Sequence, residues 1–389
     1  MKIRLLKHLV CPLDKTPLEL KEWDSTSNVV TREDEQKAEK LGIPIAELSK
    51  EILTGVLINR SRKLLYPIYN GVPRLLTYPT GLTTEFQSRF GGRIASEFPG
   101  YSFPSESATP GEAEVLRTFS SEWVNYDWDG KSYWNLKPDA WFRCMRFALD
   151  LDANPVGGNK LVLEAGIGIG GVSDYVCRTE GCEQVGLDLG YAVDSAYRHF
   201  GKNLFLHLVQ ASVFAPPFAK ETFDFVYSFG VIHHTYSTET AFRSLSQLPK
   251  QGGRIYIWVY SPYDEQRSGL RRMLMTMENA IRPVMWRMPE KVQTVALAPL
   301  VPAYMAAQWL RSVRSDGSVI AYGFREALHA ARDRFTPPFV HRHTEEEVGG
   351  WFQTAGFGNL RYTGRRDKPD FVPVAVTACT GVSGIRGAV

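Results

Sequence analysis

The fold of this chain is decided by the stretch KLVLEAGIGIGG, residues 160–171, together with QVGLD, residues 184–188. The first stretch is a short apolar run that opens into a turn containing Gly166, Gly168 and Gly170, and the second run ends on Asp188. A glycine-rich turn between a strand and a helix lets backbone N–H groups approach a ligand at the positive end of the helix. A carboxylate at the tip of the next strand, about 20 residues on, suits the two hydroxyls of a ribose. These two runs therefore predict a site for a nucleoside-containing cofactor.

The same glycines raise the alternative of an NAD site. Gly166, Gly168 and Gly171 satisfy the spacing G-x-G-x-x-G of dinucleotide-binding turns, which by itself is a weak signal. Glu164 stands two residues before the first glycine, where its charge would crowd a pyrophosphate but would suit a ligand that carries an ammonium group. The loop supplies no further residue that clamps a phosphate. The glycines could also form a plain turn that binds no ligand. Asp188 at the tip of the next strand argues against that interpretation.

Composition places the chain among ordinary globular proteins. It has 389 residues, 44% of them hydrophobic and 22% charged, which is enough for two or three domains and a substantial core. A formal net charge of only +3 argues against a dedicated nucleic-acid binder. Five scattered cysteines indicate a reducing compartment and neither a disulfide framework nor a metal site. The apolar run at the N-terminus is too short for a signal peptide, so a cytoplasmic location is predicted.

One uncharged stretch needs comparison with a membrane span. Residues 292–310, VQTVALAPLVPAYMAAQWL, approach the ~20 residues that cross a bilayer. Pro299, Pro302, Gln293 and Gln308 interrupt the stretch, and a basic, Met-rich segment precedes it. We expect a buried or cap-forming pair of helices without stable membrane insertion. Peripheral contact with a membrane is the alternative.

The chain reads as five segments. Asn70-Gly71 between apolar runs is a hairpin signal near the end of the first segment. Near-continuous apolar runs after residue 160 indicate strands covered on both faces, hence a parallel sheet. Predicted strands cover 160–165, 184–189, 204–211, 223–228 and 253–260, and a closing pair covers 359–365 and 371–379. The expected segments are a small module (1–77), a linker and aromatic helical lid (78–150, with the linker over 78–118), a cofactor-binding core (151–262), a helical cap (263–340) and the end of the core (341–389).

The first segment resembles a known small domain. Its motifs are Cys11-Pro12 and YPIYNGVPRLL, residues 66–76. They resemble the zinc-ribbon-like activator domain that partners tRNA and rRNA methyltransferases. Where zinc-binding relatives carry CPxC and a second cysteine pair, this chain keeps only Cys11 and has Asp14. No zinc is therefore expected here.

The central segment resembles a second family. The motifs LVLEAGIGIGG, VGLDLG, FDFVYSFGVIHHT, LPKQGGRIYIWVY and TEEEVGGWFQTAGF occur in order over residues 161–357. Together they resemble the class I S-adenosylmethionine (SAM) methyltransferases, in the broad group related to quinone-biosynthesis enzymes. The resemblance implies an α/β fold with a Rossmann-like, seven-stranded, mostly parallel sheet. A small N-terminal α+β module and a helical cap insertion would be added to it.

The same resemblance implies a set of cofactor-binding residues. Glu164 and the following loop would hold the methionine end of SAM, Asp188 the ribose hydroxyls, and Leu189 the adenine. Ser212-Val213 lies where relatives place an acidic residue for the adenine amino group, so adenine recognition here lacks that charge. Residues at the tip of the fourth strand would face the sulfonium and the acceptor. The full set is Glu164, Ala165, Gly166, Ile167, Gly168, Gly170, Asp188, Leu189, Ser212, Val213, Ser228, Phe229, Gly230 and Trp134.

Three further residues are candidates for catalysis. A sulfonium in a dry pocket favours aromatic faces, and the aromatic segment 119–134 suits a lid over it. Tyr126 and Trp134 are the expected contacts within that lid, although any one ring there is as well explained by packing. His233 and His234 follow the fourth strand, where a base would remove the proton of the nucleophile. One of the two histidines is as easily structural.

Three functions remain open on the sequence. The leading interpretation is a methyltransferase in specialised metabolism that acts on a small molecule, bulky or apolar because the cap is rich in methionine. The second is a lyase on the same fold that cyclises SAM to an azetidine-2-carboxylate type amino acid and methylthioadenosine. The third is a SAM-binding scaffold without catalysis. The acceptor, its reacting atom and the oligomeric state stay undetermined.

Overall fold

The structure, a computed structural model, describes residues 1–125, 136–262, 269–315, 317–363 and 379–388. The chain forms two compact units. Unit 1 comprises residues 1–110, 156–227 and 240–255, and unit 2 comprises residues 111–155, 228–239 and 256–389. Among the described helices, none is both long and apolar enough to cross a membrane.

The N-terminal module, residues 1–77, is a four-stranded antiparallel sheet with one helix in unit 1. Its elements are β1 (Glu19–Ser27), α1 (Arg32–Leu41), β2 (Lys50–Asn59), β3 (Leu64–Tyr69) and β4 (Val72–Pro73), and the strand order is β1-β2-β3-β4. Asn70 and Gly71 make the predicted turn, with φ of 53° and 77°. A Cβ on Gly71 would lie 2.4 Å from the hydroxyl oxygen of Tyr197, so only glycine fits this turn. The hairpin prediction is confirmed.

The segment expected as a linker contains a helix instead. Helix α2 (Gly81–Glu97) begins with a capping box in which Thr80 and Thr83 each accept the other's backbone N–H. Phe86 and Ile94 on its inner face pack with Val56 and Tyr69 of the module sheet. The linker prediction for residues 78–118 is therefore wrong. The Gly, Ser and Thr residues of this segment suggested a loop, although its apolar and aromatic residues recur at helical spacing.

The core of unit 1 is the parallel part of a second sheet. Strands β5 (Leu161–Ala165), β6 (Glu183–Asp188) and β7 (Leu206–Gln210) pair in parallel, and β5 also pairs in parallel with β8 (Phe223–Phe229). Helices α5 (Gly171–Thr179) and α6 (Ala192–Phe200) connect them, and α7 (Thr238–Leu245) precedes β9 (Pro249–Tyr260). Every residue of β5 and β7 is buried, as the apolar runs predicted.

Unit 2 holds the rest of this sheet and most of the helices. The order of the seven strands is β10-β11-β9-β8-β5-β6-β7, so the predicted seven-stranded, mostly parallel, Rossmann-like sheet is confirmed. Strand β10 (Phe357–Tyr362) is antiparallel to β11 (Cys379–Arg386). The predicted strand 371–379 lies outside the described residues except for Cys379. The helices are α3 (Glu112–Asn125), α4 (Pro138–Ala148), α8 (Gly269–Met285), α9 (Glu290–Leu297), α10 (Val301–Arg314), α11 (Phe324–Phe335) and α12 (Glu345–Thr354).

Candidate cofactor and acceptor site

The turn after β5 is shaped by glycines in the left-handed region. Gly166, Gly168 and Gly170 have φ of 88°, 54° and 91°. The N–H of Gly166 donates to the carbonyl of Leu187 at 2.7 Å, which ties the turn to the end of β6. A Cβ on Gly168 would meet no atom within 4 Å, so this backbone faces open space. The turn is a cradle that brings its backbone close to a ligand.

Two further residues of the predicted set, Ala165 and Ile167, could contact a ligand only through their backbone atoms. The side chains of Ala165 and Ile167 are 0% and 3% exposed, because they pack into the core. Their side chains fix the position of the turn, while Gly168 between Ile167 and Ile169 faces open space.

Asp188 stands at the end of β6 and contacts the glycine turn directly. Its Oδ2 accepts the N–H of Gly168 at 2.9 Å and its Oδ1 accepts the N–H of Gly190 at 2.8 Å. Removal from water raises the pKa of Asp188 to about 6, although these N–H groups favour the charged form. The N–H of Leu189 also bonds to this carboxylate, which has about four acceptor positions and so keeps room for a hydroxyl donor. The geometry suits a diol beside Gly168.

Glu164 lies at the centre of a buried hydrogen-bond network that the sequence does not reveal. Its Oε2 accepts the hydroxyls of Ser173 and Tyr227, the second at 3.1 Å. The side-chain amide of Gln184 donates to the same two hydroxyls, at 2.7 and 2.6 Å. Burial raises the pKa of Glu164 to about 8, so without a cation nearby the carboxyl is protonated at neutral pH. A cationic group that approached it would favour its ionisation.

The residues after β6 and β7 are adjacent. The N–H of Ala211 donates to the carbonyl of Asp188 at 2.9 Å. Ser212 is buried, and its Oγ accepts the N–H of Phe214 at 3.0 Å. Leu189 and Val213 are half-buried. The hydroxyl of Ser212 therefore already has one partner, and it brings no charge to this end of the site.

Within unit 1, the N-terminal module contacts the residues that follow β6 and those at the end of β7. Arg74 donates to both carboxylate oxygens of Asp194 at the start of α6, at 3.0 and 2.5 Å, and to the side chain of Gln210 at 3.2 Å. Gln210 in turn donates to the carbonyl of Leu189 at 2.9 Å. Val72 of the module shares one hydrophobic core with residues of α6 and β7. The predicted Asp188-Leu189 turn is thus linked to the module through one arginine.

The position where relatives of the module bind zinc has a different network here. The thiol of Cys11 contacts the hydroxyl of Tyr66 at 3.3 Å. Asp14 accepts hydrogen bonds from Thr16 and from the side-chain amide of Asn59, and these bonds hold the pKa of Asp14 well below its usual range. Among the described residues, no group of three His, Cys, Asp or Glu side chains is arranged to hold a metal ion.

In unit 2, the tip of β8 carries an aromatic stack. The ring of Phe229 lies 4.5 Å from that of Trp258 at an interplanar angle of 8°, and Trp141 meets Phe229 edge-on at 5.5 Å. The N–H of Gly230 donates to the carbonyl of Trp258 at 3.0 Å, with φ of 75° at Gly230. Ser228 is fully buried. Phe229 therefore lies in an aromatic cluster beside Gly230, and the faces of aromatic rings attract cations.

The two histidines after β8 have different environments. The Nδ1–H of His234 donates to the carbonyl of Phe339 at 2.9 Å. His233 is fully buried against the ring of Tyr260, 4.0 Å away, and neither of its ring nitrogens has a hydrogen-bond partner among the described residues. Burial lowers the pKa of His234 to about 4 and that of His233 well below its usual range. Both imidazoles are neutral at pH 7, and His233 is the one with unused nitrogens.

A buried acid–histidine pair in unit 2 was not found from the sequence. Oε1 of Glu122 on α3 lies 3.6 Å from Nε2 of His329 on α11, and both side chains are 1% exposed. Burial raises the pKa of Glu122 well above its usual range. It also lowers the pKa of His329 to about 3. Although the distance is that of an ion pair, the pKa directions leave both groups neutral. No sequence signal exists for this pair, because its members lie on separate helices.

Tyr126 and Trp134 lie outside the described residues. Of the predicted lid region, the structure therefore describes only the helices on either side, α3 and α4. On α3, Phe119 lies 5.1 Å from the ring of His234.

Comparison with known sequences identifies two domains within the chain. The sequence model of the family described as "Methyltransferase domain" matches residues 163–257, and that of the family "Trm112p-like protein" matches residues 2–71. The chain carries a class I, SAM-dependent methyltransferase domain preceded by a Trm112p-like domain. The first match contains the glycine turn, Asp188 and His233, and the second contains most of the module sheet.

Curated relatives share only part of this arrangement. The sterol 24-C-methyltransferase of Eremothecium gossypii is 30% identical over 130 residues, which are 32% of this chain and 35% of the relative. The enzyme of the same name from Debaryomyces hansenii is 28% identical over 130 residues, 32% of this chain and 34% of the relative. The chain thus spans about a third of the length of these relatives.

Two solved structures have a partly similar course of the chain. One is the complex of the Haloferax volcanii Trm112 methyltransferase activator with a putative methyltransferase, with 13% identity, a TM-score of 0.39, and coverage of 73% of this chain and 100% of that one. The other is phosphoethanolamine N-methyltransferase 2 of Haemonchus contortus in complex with SAM, with 13% identity, a TM-score of 0.43, and coverage of 74% and 62%.

Proposed function

We propose that the methyltransferase domain transfers a methyl group from SAM to a small metabolite that is apolar or bulky. The observation that carries this proposal is the placement of two carboxyl groups around one glycine turn. Glu164 is the penultimate residue of β5 and Asp188 is the last residue of β6, and Asp188 accepts the N–H of Gly168 in the turn. One carboxyl suits the ammonium of an amino acid and the other suits a ribose diol. SAM contains both groups and supplies an electrophilic methyl carbon on a sulfonium.

The remaining residues of unit 1 have assigned roles in this proposal. The backbone of the turn around Gly166 and Gly168 lies against the methionine end of SAM, since the absence of side chains there lets the ligand approach closely. Leu189 and Val213, both half-buried, pack on the adenine. Ser212 accepts a weak hydrogen bond from the adenine amino group, in addition to the one it accepts from Phe214.

In unit 2 we assign His233 as the base and His234 as its positioning neighbour. His233 is neutral at pH 7 and has two nitrogens with no partner among the described residues, so it can accept the proton that the nucleophile loses. The bond from His234 to Phe339 fixes the backbone that carries His233. Ser228, Phe229 and Gly230 face the sulfonium, where the stack of Phe229 on Trp258 offers π-faces.

The acceptor is apolar or bulky in this proposal because of the cap. Its helices α8 to α11 contain an apolar core that includes Met285, Leu297 and Phe335. Sterol 24-C-methyltransferases, which share the matched 130 residues, support an apolar acceptor. In this proposal the domain boundaries are those predicted from the sequence, except that helix α2 occupies the place of the linker after residue 77, and residues 1–77 support the Asp188-Leu189 turn.

A single incubation tests the reaction type. The protein is mixed with SAM alone and with SAM plus a lipid or polar metabolite extract, and the products are identified by mass spectrometry. We expect S-adenosylhomocysteine and a product heavier by one methyl group only when the acceptor extract is present. Methylthioadenosine from SAM alone would instead indicate the lyase, and SAM binding without turnover in any extract would indicate a scaffold.

A further inference from the structure

Exposed apolar side chains are concentrated on the cap. Of the fourteen exposed large hydrophobic side chains among the described residues, eleven lie between residues 273 and 324. They are Met273, Met277, Ile281, Val284, Val292, Val295, Leu300, Trp309, Leu310, Val313 and Phe324. A monomeric protein scatters such residues over its surface, whereas a cluster marks a binding face.

Helix α8 shows why these residues are exposed. Met273, Met277, Ile281 and Val284 follow a spacing of four, four and three residues, so they share one helix face, and that face is exposed. The opposite face is buried and includes two charged side chains. Glu278 is 7% exposed and accepts from Arg334, while Arg282 is 8% exposed and donates to the carbonyl of Arg334. A normal surface helix buries its apolar side chains and exposes its charged ones, whereas this helix exposes four apolar side chains and buries two charged ones.

Helices α9 and α10 repeat this arrangement. On α9, Gln293 is 2% exposed whereas Val295 is 74% exposed. On α10, Gln308 is 1% exposed whereas Trp309 is 59% exposed. The buried amides have partners: Gln293 donates to the carbonyls of Met285 and Met288, and Gln308 to that of Ile320. The polar groups inside are therefore satisfied, and the apolar groups outside are left for another partner.

The charge on this face identifies the partner. Residues 269–314 contain seven basic and two acidic residues, while the whole chain has a net charge of only +3. Arg272, Arg287, Lys291, Arg311 and Arg314 are all exposed, and each lies within three residues along the chain of an exposed apolar side chain. A protein partner with an apolar patch would not require this excess of positive charge. An anionic lipid surface has both properties, because hydrocarbon receives the apolar side chains and the headgroups attract the basic ones.

We propose that helices α8, α9 and α10 dock this face onto an anionic lipid bilayer. The helices lie in the interface and do not cross it. Trp309 sits at the level of the headgroups, where amphipathic rings are favoured. Methyl transfer is not required for this docking, so the two proposals fail separately.

The test is co-sedimentation with vesicles of phosphatidylcholine, with or without about a third of phosphatidylglycerol. We expect the full chain to bind the anionic vesicles and to lose that binding as salt is raised. Each basic residue near such a surface contributes about fivefold, so the Lys291→Gln/Arg314→Gln variant should bind about 25-fold more weakly. The Val284→Ser/Trp309→Ser variant should bind at least tenfold more weakly. Val29→Ser, at a residue 86% exposed on the N-terminal module, is the matched control and should bind like wild type.

Binding of S-adenosylhomocysteine by each variant in solution checks that the fold and the cofactor site are intact. The proposal is overturned if the wild type does not bind either vesicle, or binds both equally. It is also overturned if Val284→Ser/Trp309→Ser binds as well as Val29→Ser. A dimer in analytical ultracentrifugation that this double variant abolishes, without vesicle binding by the wild type, would assign the face to a second copy of the chain.

Discussion

The affinity for S-adenosylhomocysteine should rise with pH because Glu164 must lose a proton before it pairs with an ammonium group. Burial raises its pKa to about 8, despite the hydroxyls of Ser173 and Tyr227 that donate to it. In the unbound protein at neutral pH the carboxyl is therefore mostly protonated. The ligand ammonium stabilises the charged form, so binding releases this proton. The sign follows: affinity is low well below the raised pKa, and it rises with pH toward that value.

The magnitude can be worked from that pKa. Each pH unit below it costs about 1.4 kcal/mol of binding free energy, or a factor of ten in affinity. Between about pH 6 and about pH 7.5, Glu164 should therefore increase the affinity roughly 30-fold. Asp188, whose pKa is raised to about 6, adds roughly another factor of two at the acidic end. The range stops there because the α-ammonium of the ligand begins to lose its own proton near pH 8.

Isothermal titration calorimetry at several pH values, in buffers with different ionisation enthalpies, measures both affinity and proton release. At about pH 7 the wild type should release about 0.9 proton from Glu164 on binding. Glu164→Gln keeps an oxygen for Ser173 and Tyr227 but cannot ionise. Its affinity at about pH 7.5 should be lower than that of the wild type and nearly independent of pH. Glu39→Gln, an exposed substitution on α1, is the matched control and should keep the wild-type slope.

The reasoning is refuted by either of two results. One is a wild-type affinity that stays constant over this pH range without proton release. The other is a Glu164→Gln variant with the same slope and the same proton release as the wild type, which would place the titrating group elsewhere.

Three further predictions concern other residues of the two units. Asp188→Ala should weaken S-adenosylhomocysteine binding about 10- to 100-fold in calorimetry, because hydrogen bonds to a charged group contribute about 1.5–3 kcal/mol, and unchanged affinity would contradict the ribose assignment. Arg74→Ala should lower the free energy of unfolding in urea by about 2 kcal/mol and also weaken cofactor binding, because Asp194 and Gln210 lose their shared partner. A loss of stability with full cofactor affinity would show that the module does not support the Leu189 turn. Once an acceptor is known, His233→Gln should lower kcat about 100-fold or more and remove a pH-dependent limb, while His234→Gln should have a smaller effect on kcat. Equal losses from the two substitutions would contradict the separate roles.

Much of unit 1 was predictable because its signals are local. The run before Glu164 and the run before Asp188 are strands, and Asn70-Gly71 makes the turn that its residue types require. Thr344 caps α12 by accepting the N–H of Glu347, three residues away. Such features depend on neighbours within a few residues, so a single sequence shows them.

The linker prediction failed for the opposite reason. Residues 78–118 have the composition of a loop, and the helix there is stabilised by packing of Phe86 and Ile94 on strand residues between Val56 and Tyr69, which are distant in the chain. Tertiary contacts overrode the local signal. The network of Ser173, Gln184 and Tyr227 around Glu164 was missed in the same way, because its members come from three separate elements.

The sequence by itself determined the order of the elements, the glycine turn and the identity of the two carboxyl groups beside it. It could do so because backbone conformation and strand burial follow from patterns of only a few neighbouring residues. Only the tertiary structure decided what those carboxyl groups experience, since the pKa of Glu164 depends on burial by distant segments. It also decided which histidine keeps unused nitrogens and which face of α8 points outward. A helix with apolar residues on both faces does not specify its orientation alone. Its neighbours select the face that buries Glu278 and Arg282 with their partners.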